Sequence, residues 1–169
     1  MNVLMLVSSL DSYAKGRTDG FIVDWVRVLA KKVDKLTVLT YKHNPKDGFA
    51  SNTKVVIIGG ANFITRTINL VIKTVRFGKQ NDVLFAHILE MFGIVGGLVG
   101  KLIGKRSYIW YCQGYNLSKH FMAQLALSLV DRIFTSTDSI KDRYIAEVGG
   151  HLKDKIVVVG HGIYLPHYG

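Results

Sequence analysis

His87, with Glu90 three residues on, is the first place in this sequence to look for chemistry, because histidine exchanges a proton near neutral pH more readily than any other side chain. A lone histidine serves equally well as a core residue, so its neighbours in space matter. Gln113-Gly114-Tyr115-Asn116 forms a polar turn, and Gly160-His161-Gly162 forms another. Gly16 and Arg17 open a glycine-bearing stretch that ends at Gly20, where backbone N–H groups and a guanidinium could meet an anion or could simply form a loop. Two common nucleotide signatures are missing. Val95 and Val99 stand where a phosphate-binding loop would need glycine ahead of Gly100-Lys101 and Gly104-Lys105, and no Gly-x-Gly-x-x-Gly follows the first apolar run. The glycines at 93, 96, 97, 100 and 104 therefore suit close helix packing better than a phosphate site.

These groups need a scaffold, and the composition supports one. The 169 residues are 49% hydrophobic and 20% charged, which suits one globular domain. A single cysteine, Cys112, leaves no intramolecular disulfide, and no Cys/His cluster has zinc spacing. Both facts suit a reducing, cytoplasmic compartment and give no reason to expect a metal. Met91 to Leu102, the longest apolar run, is broken by glycines and falls short of the roughly 18 residues a spanning helix needs. A net charge of +10 favours anionic partners: phosphates, acidic lipid surfaces or nucleic acid. No nucleic-acid recognition motif is present, so nucleic acid is not an expected partner.

Short β-branched runs alternate with amphipathic stretches, the signature of βαβ units around a parallel sheet. Strands are expected at Asn2 to Val7, Leu36 to Tyr41, Lys54 to Ile58, Asp82 to Ala86, Ser107 to Cys112, Arg132 to Ser136 and Lys155 to Val159. Helices are expected between Gly20 and Lys32, Asn62 and Phe77, Phe92 and Ile103, Phe121 and Val130, and Ser139 and Val148, and Asn44 to Thr53 reads as a loop. The result is an α/β, Rossmann-like, doubly wound parallel sheet in three layers with helices on both faces. In such a sheet, ligands sit beyond the carboxyl ends of the strands, where His87, Gln113, Gly162 and Gly16 would converge. The helix from Asn62 to Phe77 repeats Ile64, Ile68, Val71, Ile72 and Val75 with Arg66, Lys73 and Arg76 interspersed. Two readings are open for it: the apolar stripe packs on the core with a solvated basic side, or the helix lies on anionic lipid.

The order of these segments resembles the N-terminal domain of the GT4 family of retaining glycosyltransferases over essentially the whole chain. Gly16-Arg17, followed by Val28 to Lys32 and Leu36 to Thr40, is similar to that family's glycine loop, first helix and second strand. Asp82-Val83-Leu84-Phe85-Ala86-His87 is similar to its Asp-Val-x-His-Ala-His segment. Asp131 to Asp138 with Lys141 resembles the strand leading into Ser-Glu-x-Leu-Lys, and Lys155 to Ile163 resembles the close of the domain. Departures stand beside these matches: Arg17 in the place of a second glycine, Gln113 where many members carry histidine, His161 for asparagine and Tyr164 for aspartate.

The resemblance implies one half of a GT-B fold, with residues 1–169 as the N-terminal domain and the donor-binding C-terminal domain absent, through truncation or because a separate chain carries it. It implies transfer of a sugar from a nucleotide diphosphate sugar to an acceptor by a metal-independent hexosyltransferase, with little activity in the lone domain. His87 and Gln113 become the catalytic candidates, and Gly16 and Arg17 the donor phosphate loop. Glu90, Gly114, Tyr115, Asn116, Thr137, Asp138, His161 and Gly162 become the rim of the acceptor cleft. The expected partners are the donor-binding half and the nucleotide sugar. The alternative is a non-catalytic, peripheral subunit that brings a catalytic partner to the cytoplasmic face of a membrane through Arg66, Lys73 and Arg76.

Overall fold

Each run of Val, Ile and Leu becomes an extended segment whose alternate side chains can enter two different cores, and this is what a strand buried on both faces requires. The computed structural model describes residues 1–13, 20–114 and 116–160. In chain order the elements are β1 (Asn2–Leu10), α1 (Gly20–Ala30), β2 (Lys35–His43), β3 (Thr53–Ile57), α2 (Phe63–Gly78), β4 (Val83–His87), α3 (Glu90–Ile103), β5 (Arg106–Trp110), α4 (Phe121–Leu129), β6 (Arg132–Thr135), α5 (Asp138–Val148) and β7 (Ile156–Val158). Single 3-10 turns occupy Leu117–Lys119 and Gly150–Leu152.

All seven strands pair in parallel in the order β3-β2-β1-β4-β5-β6-β7. The order reverses between β1 and β4, so the crevice of a doubly wound sheet lies beyond the ends of those two strands. β1 runs further than its sequence suggests. Ser8 and Ser9 read as the end of the apolar run, yet Ser9 pairs with Lys42 and Leu10 with His43, so the ladder with β2 overrides their polarity. β7 is shorter than expected, although the Val159 N–H still bonds the Thr135 carbonyl at 2.9 Å.

Two cores flank the sheet. Leu4 and Leu6 of β1, with Leu84 and Ala86 of β4, face Leu70, Phe92, Val95, Val99, Leu127 and Tyr144 from α2 to α5. Val3, Met5 and Val7 face Ile22, Val23 and Val26 of α1. The layers are therefore unequal: among the described residues α1 alone covers the second face, over β1 and β2.

Helix α2 departs from its expected orientation. Its buried residues are Leu70, Thr74, Phe77 and Gly78, while Ile64, Ile68, Val71 and Ile72 are exposed. The sheet takes the narrower apolar arc, because Leu70 and Phe77 lie two turns apart on the side that the crossover from β3 to β4 turns inward. Its start is fixed by a capping box, in which the Asn62 side chain accepts from the Thr65 N–H at 3.0 Å and the Thr65 hydroxyl accepts from the Asn62 N–H at 3.2 Å.

Candidate functional site at the carboxyl edge of the sheet

β4 delivers His87 to the carboxyl edge beside the reversal point, in register with Trp110 of β5. The imidazole is 2% exposed. Trp25 of α1 meets it edge-on at 5.4 Å between centroids, Phe21 lies at 5.9 Å, and Trp25 packs edge-on against Trp110 at 4.9 Å. Burial among these rings pulls the His87 pKa from 6.5 down to about 4, so the ring is neutral at physiological pH. Its Nε2 is buried and makes no hydrogen bond within the described residues. A neutral imidazole with one uncommitted nitrogen is a weak base and a good hydrogen-bonding partner for a hydroxyl.

The turn behind His87 is strained. Ile88 has φ 60°, a left-handed conformation uncommon for a β-branched residue. The Leu89 N–H bonds back to the His87 carbonyl at 2.7 Å, forming a γ-turn, and the Ile88 N–H bonds Trp110 at 2.8 Å. This tight reversal starts α3 immediately after β4. Glu90, its first residue, accepts from the Tyr111 hydroxyl at 2.7 Å, tying α3 to the end of β5.

The segment after β5 is held from α5. Tyr144 donates its hydroxyl to the Gln113 carbonyl at 3.1 Å, Arg143 donates to the Gly114 carbonyl at 2.6 Å, and the Glu147 carboxylate accepts from the Leu117 N–H. Asn116 and Thr137 have scaffold duties: Asn116 caps the 3-10 turn through the Ser118 N–H at 2.9 Å, and Thr137 caps α5 through the Ile140 N–H at 3.3 Å. Asp138 opens α5 as an acidic first-turn residue, favourable at the positive end of the helix. The structure thus brings His87, Glu90, Gln113, Gly114, Asn116, Thr137 and Asp138 to one edge. Gly16, Arg17, Tyr115, His161 and Gly162 lie outside the described residues.

The three basic residues of α2 sit apart from the His87 cage. Lys73 donates to the carbonyls of Ile57 and Ile58, at 3.0 Å for the latter, and Arg66 donates to Gly60 at 3.1 Å while lying over the Tyr41 ring. Arg76 rests on Phe77.

Two features escaped the sequence. One is the aromatic cage itself, whose members come from α1, β4 and β5. The other is a polar brace where β1 and β2 end. Asp47, its side chain fully buried, accepts from the Ser12 N–H at 3.1 Å and from the Ser12 hydroxyl, with Arg27 at 4.0 Å. Asp11 accepts from Asn44 at 3.0 Å and pairs with Lys42 at 3.0 Å, and these two donors hold its carboxyl below the usual range. The brace fixes the chain as it leaves β1. No group of three potential metal ligands occurs among the described residues.

Beside the cage lies a cavity of about 600 Å³ on the α1 face, walled by Met5, Trp25, Phe85, Trp110, Phe134 and Val159. Among the described residues, the charged groups on its wall are Asp24 and Lys32, which offer a diphosphate little to bind.

Solved structures superpose on this arrangement over nearly the whole chain. The lipopolysaccharide outer core galactosyltransferase WaaB, apo form, matches with TM-score 0.67 and 14% identity over 99% of this chain and 47% of that one. UDP-GlcNAc 2-epimerase from Methanocaldococcus jannaschii matches with TM-score 0.66 and 14% identity over 94% and 45%. The Anabaena Alr3699/HepE protein in complex with UDP matches with TM-score 0.62 and 14% identity over 96% and 44%. This is the fold of one GT-B domain. The chain spans about half the length of these structures. No protein-family profile and no curated protein matches the sequence. Within the GT-B domain, His87 occupies the strand end next to the reversal of strand order.

Proposed function

We propose that the chain is the N-terminal, acceptor-side half of a retaining glycosyltransferase of the GT4 type, working with a donor-binding half to move a sugar from a nucleotide diphosphate sugar to an acceptor. The observation that carries this reading is the position of neutral, caged His87 at the reversal point of a GT-B sheet. Its unbonded Nε2 would hold an acceptor or donor hydroxyl once Phe21 and Trp25 swing aside as the halves close, and Gln113 would frame the opening so formed. Gly16 and Arg17 would meet the donor phosphates as the two halves close. The strained turn at Ile88 and the brace at Asp47 keep the strand ends fixed while this happens. The reaction needs no metal in this reading, so chelation would leave the transfer rate of the reassembled enzyme unchanged.

The test separates the halves. In this reading most donor contacts belong to the donor-binding half, so titration calorimetry of residues 1–169 with UDP- and GDP-sugars should show binding weaker than about 1 mM or none. Tight binding would mean the halves are assigned the wrong way round. Combined with its donor half, the chain should transfer sugar, and His87→Ala should lower kcat. A product that is the C2 epimer of the nucleotide sugar would replace the transferase reading with an epimerase. The second reading, a subunit that recruits a catalytic partner to a membrane, is favoured by the outward apolar side of α2.

A further inference from the structure

Helix α2 presents two apolar sides, and only one is used by the core. Phe63 is 71% exposed, Ile64 68%, Ile68 52%, Val71 38% and Ile72 58%. Ile64, Ile68 and Ile72 follow each other at four-residue spacing, so they form one line along the outer surface of a 16-residue helix about 24 Å long. Single exposed apolar residues are ordinary, whereas five on one helix form a patch with a purpose. The neighbouring α3 adds exposed Leu98 and Leu102, and α4, packed beyond α3, opens with exposed Phe121 and Met122. Helices in one layer over a sheet make a broad, nearly flat surface. A flat apolar surface matches a bilayer, while a peptide or single helix calls for a groove.

Charge selects the kind of surface. No acidic residue stands between Gly48 and Asn81, and none between Met91 and Val130, so α2 and α4 carry no negative side chain and α3 carries only Glu90, which is bonded to Tyr111. Arg76 on α2 and Lys79, the residue that follows its last turn, are exposed, and Lys101 is exposed on α3. Lys73 and Arg66 are committed to the carbonyls of residues 57–60 and brace the entry to α2. The contact chemistry therefore falls to the isoleucine line with Arg76 and Lys79 beside it, and of the three basic residues that the sequence singles out, Arg66 and Lys73 take no part. α2 begins at the carboxyl end of β3 and α4 follows the carboxyl end of β5, so Phe63, Ile64, Phe121 and Met122 lie at the same edge as His87.

We propose that the outer side of α2 docks onto an anionic lipid bilayer, with Phe63, Ile64, Ile68 and Ile72 entering the interface between headgroups and acyl chains and with Arg76 and Lys79 meeting lipid phosphates. With the helix layer flat on the bilayer, the carboxyl edge would open sideways along the membrane surface, within reach of an acceptor that is itself in the lipid. Docking stands whether or not that edge carries out sugar transfer.

The experiment is sedimentation of the protein with vesicles of phosphatidylcholine alone and of phosphatidylcholine mixed with phosphatidylglycerol. The wild-type chain should bind the mixed vesicles and release them as salt rises, because cations on a surface are screened beyond about 8 Å at physiological ionic strength. The triple variant Ile64→Ser, Ile68→Ser, Ile72→Ser should keep its fold, checked by circular dichroism, and lose binding by more than about tenfold. The double variant Arg76→Gln, Lys79→Gln should bind the mixed vesicles no better than the neutral ones. As a readout inside the helix, Ile68→Trp should shift its fluorescence to the blue on mixed vesicles. Undiminished binding by the triple variant, or no vesicle binding by the wild type, would overturn the proposal. Association of wild-type chains with one another that the triple variant abolishes, without vesicle binding, would likewise overturn it and assign the face to a second copy.

Discussion

At the scale of single residues, the chemistry turns on how the fold treats His87. In the unfolded chain this imidazole takes up a proton near pH 6.5, while in the folded chain burial delays uptake to about pH 4. Between those values the unfolded state binds more protons, so stability falls as pH drops through the window and is fully present above it. A displacement of this size corresponds to about 3 kcal/mol, an upper figure because local opening would relieve it. Urea unfolding at about pH 7 and about pH 4.5 should show this loss, and His87→Gln, which cannot titrate, should show a flatter dependence. An equal slope in both proteins would remove the aromatic cage as its cause. His87 was legible in the sequence as a residue at a strand end, yet its state was not, because Phe21, Trp25 and Trp110 reach it from distant segments. Asp47 was hidden for the same reason: its partner Ser12 lies 35 residues away.

The elements show where local pattern suffices and where it fails. The glycine spacing of α3 was readable as a packing device, and the structure says against what. A Cβ at Gly97 would lie 2.8 Å from the Leu129 Cβ and 3.0 Å from its carbonyl carbon, and one at Gly93 would lie 3.0 Å from the Ala126 Cβ, so α3 and α4 approach through these positions. Gly96 points elsewhere, with Leu6 no nearer than 3.7 Å. Gly96→Ala should therefore stabilise the protein by up to about 1 kcal/mol through helix propensity, whereas Gly97→Ala should cost about 1–3 kcal/mol through overpacking. Thermal unfolding of the two single variants checks the contrast, and a shared sign would show that α3 and α4 do not meet this way. Helix α2 shows the limit of periodicity. Ile64, Ile68 and Ile72 make the stronger apolar line, but the core takes Leu70, Thr74 and Phe77, because the crossover between β3 and β4 fixes which side of the helix looks inward. No local pattern contains that information.

For the whole molecule, the parallel sheet was legible from alternating strand and helix signals, but the unequal layers were not. Sheets of this kind are normally covered on both faces, and here the described residues leave the α1 face of β4 to β6 without a helix. Phe85, Tyr108 and Phe134 pack against one another there, Phe85 to Phe134 at 6.2 Å and Tyr108 to Phe134 at 5.8 Å, and all three remain half-buried. They continue into the cavity of about 600 Å³ beside Trp25 and Trp110. Such a volume lies within the range of small-molecule pockets, and its walls are apolar, so the native chain should bind a fluorescent hydrophobic dye such as anilinonaphthalene sulfonate without unfolding. Phe134→Glu should suppress the signal, since a carboxylate in an apolar wall must stay hydrated and spoils the site for an apolar ring. The substitution is tolerable because Phe134 is only half-buried, so the far-ultraviolet circular dichroism should be unchanged. Because Trp25 and Trp110 wall both the cavity and the His87 cage, dye binding should quench tryptophan fluorescence, which a dye bound to α2 would not do. A native chain that binds no dye, or a Phe134→Glu variant that binds as well as the wild type, would mean that this face is covered in solution.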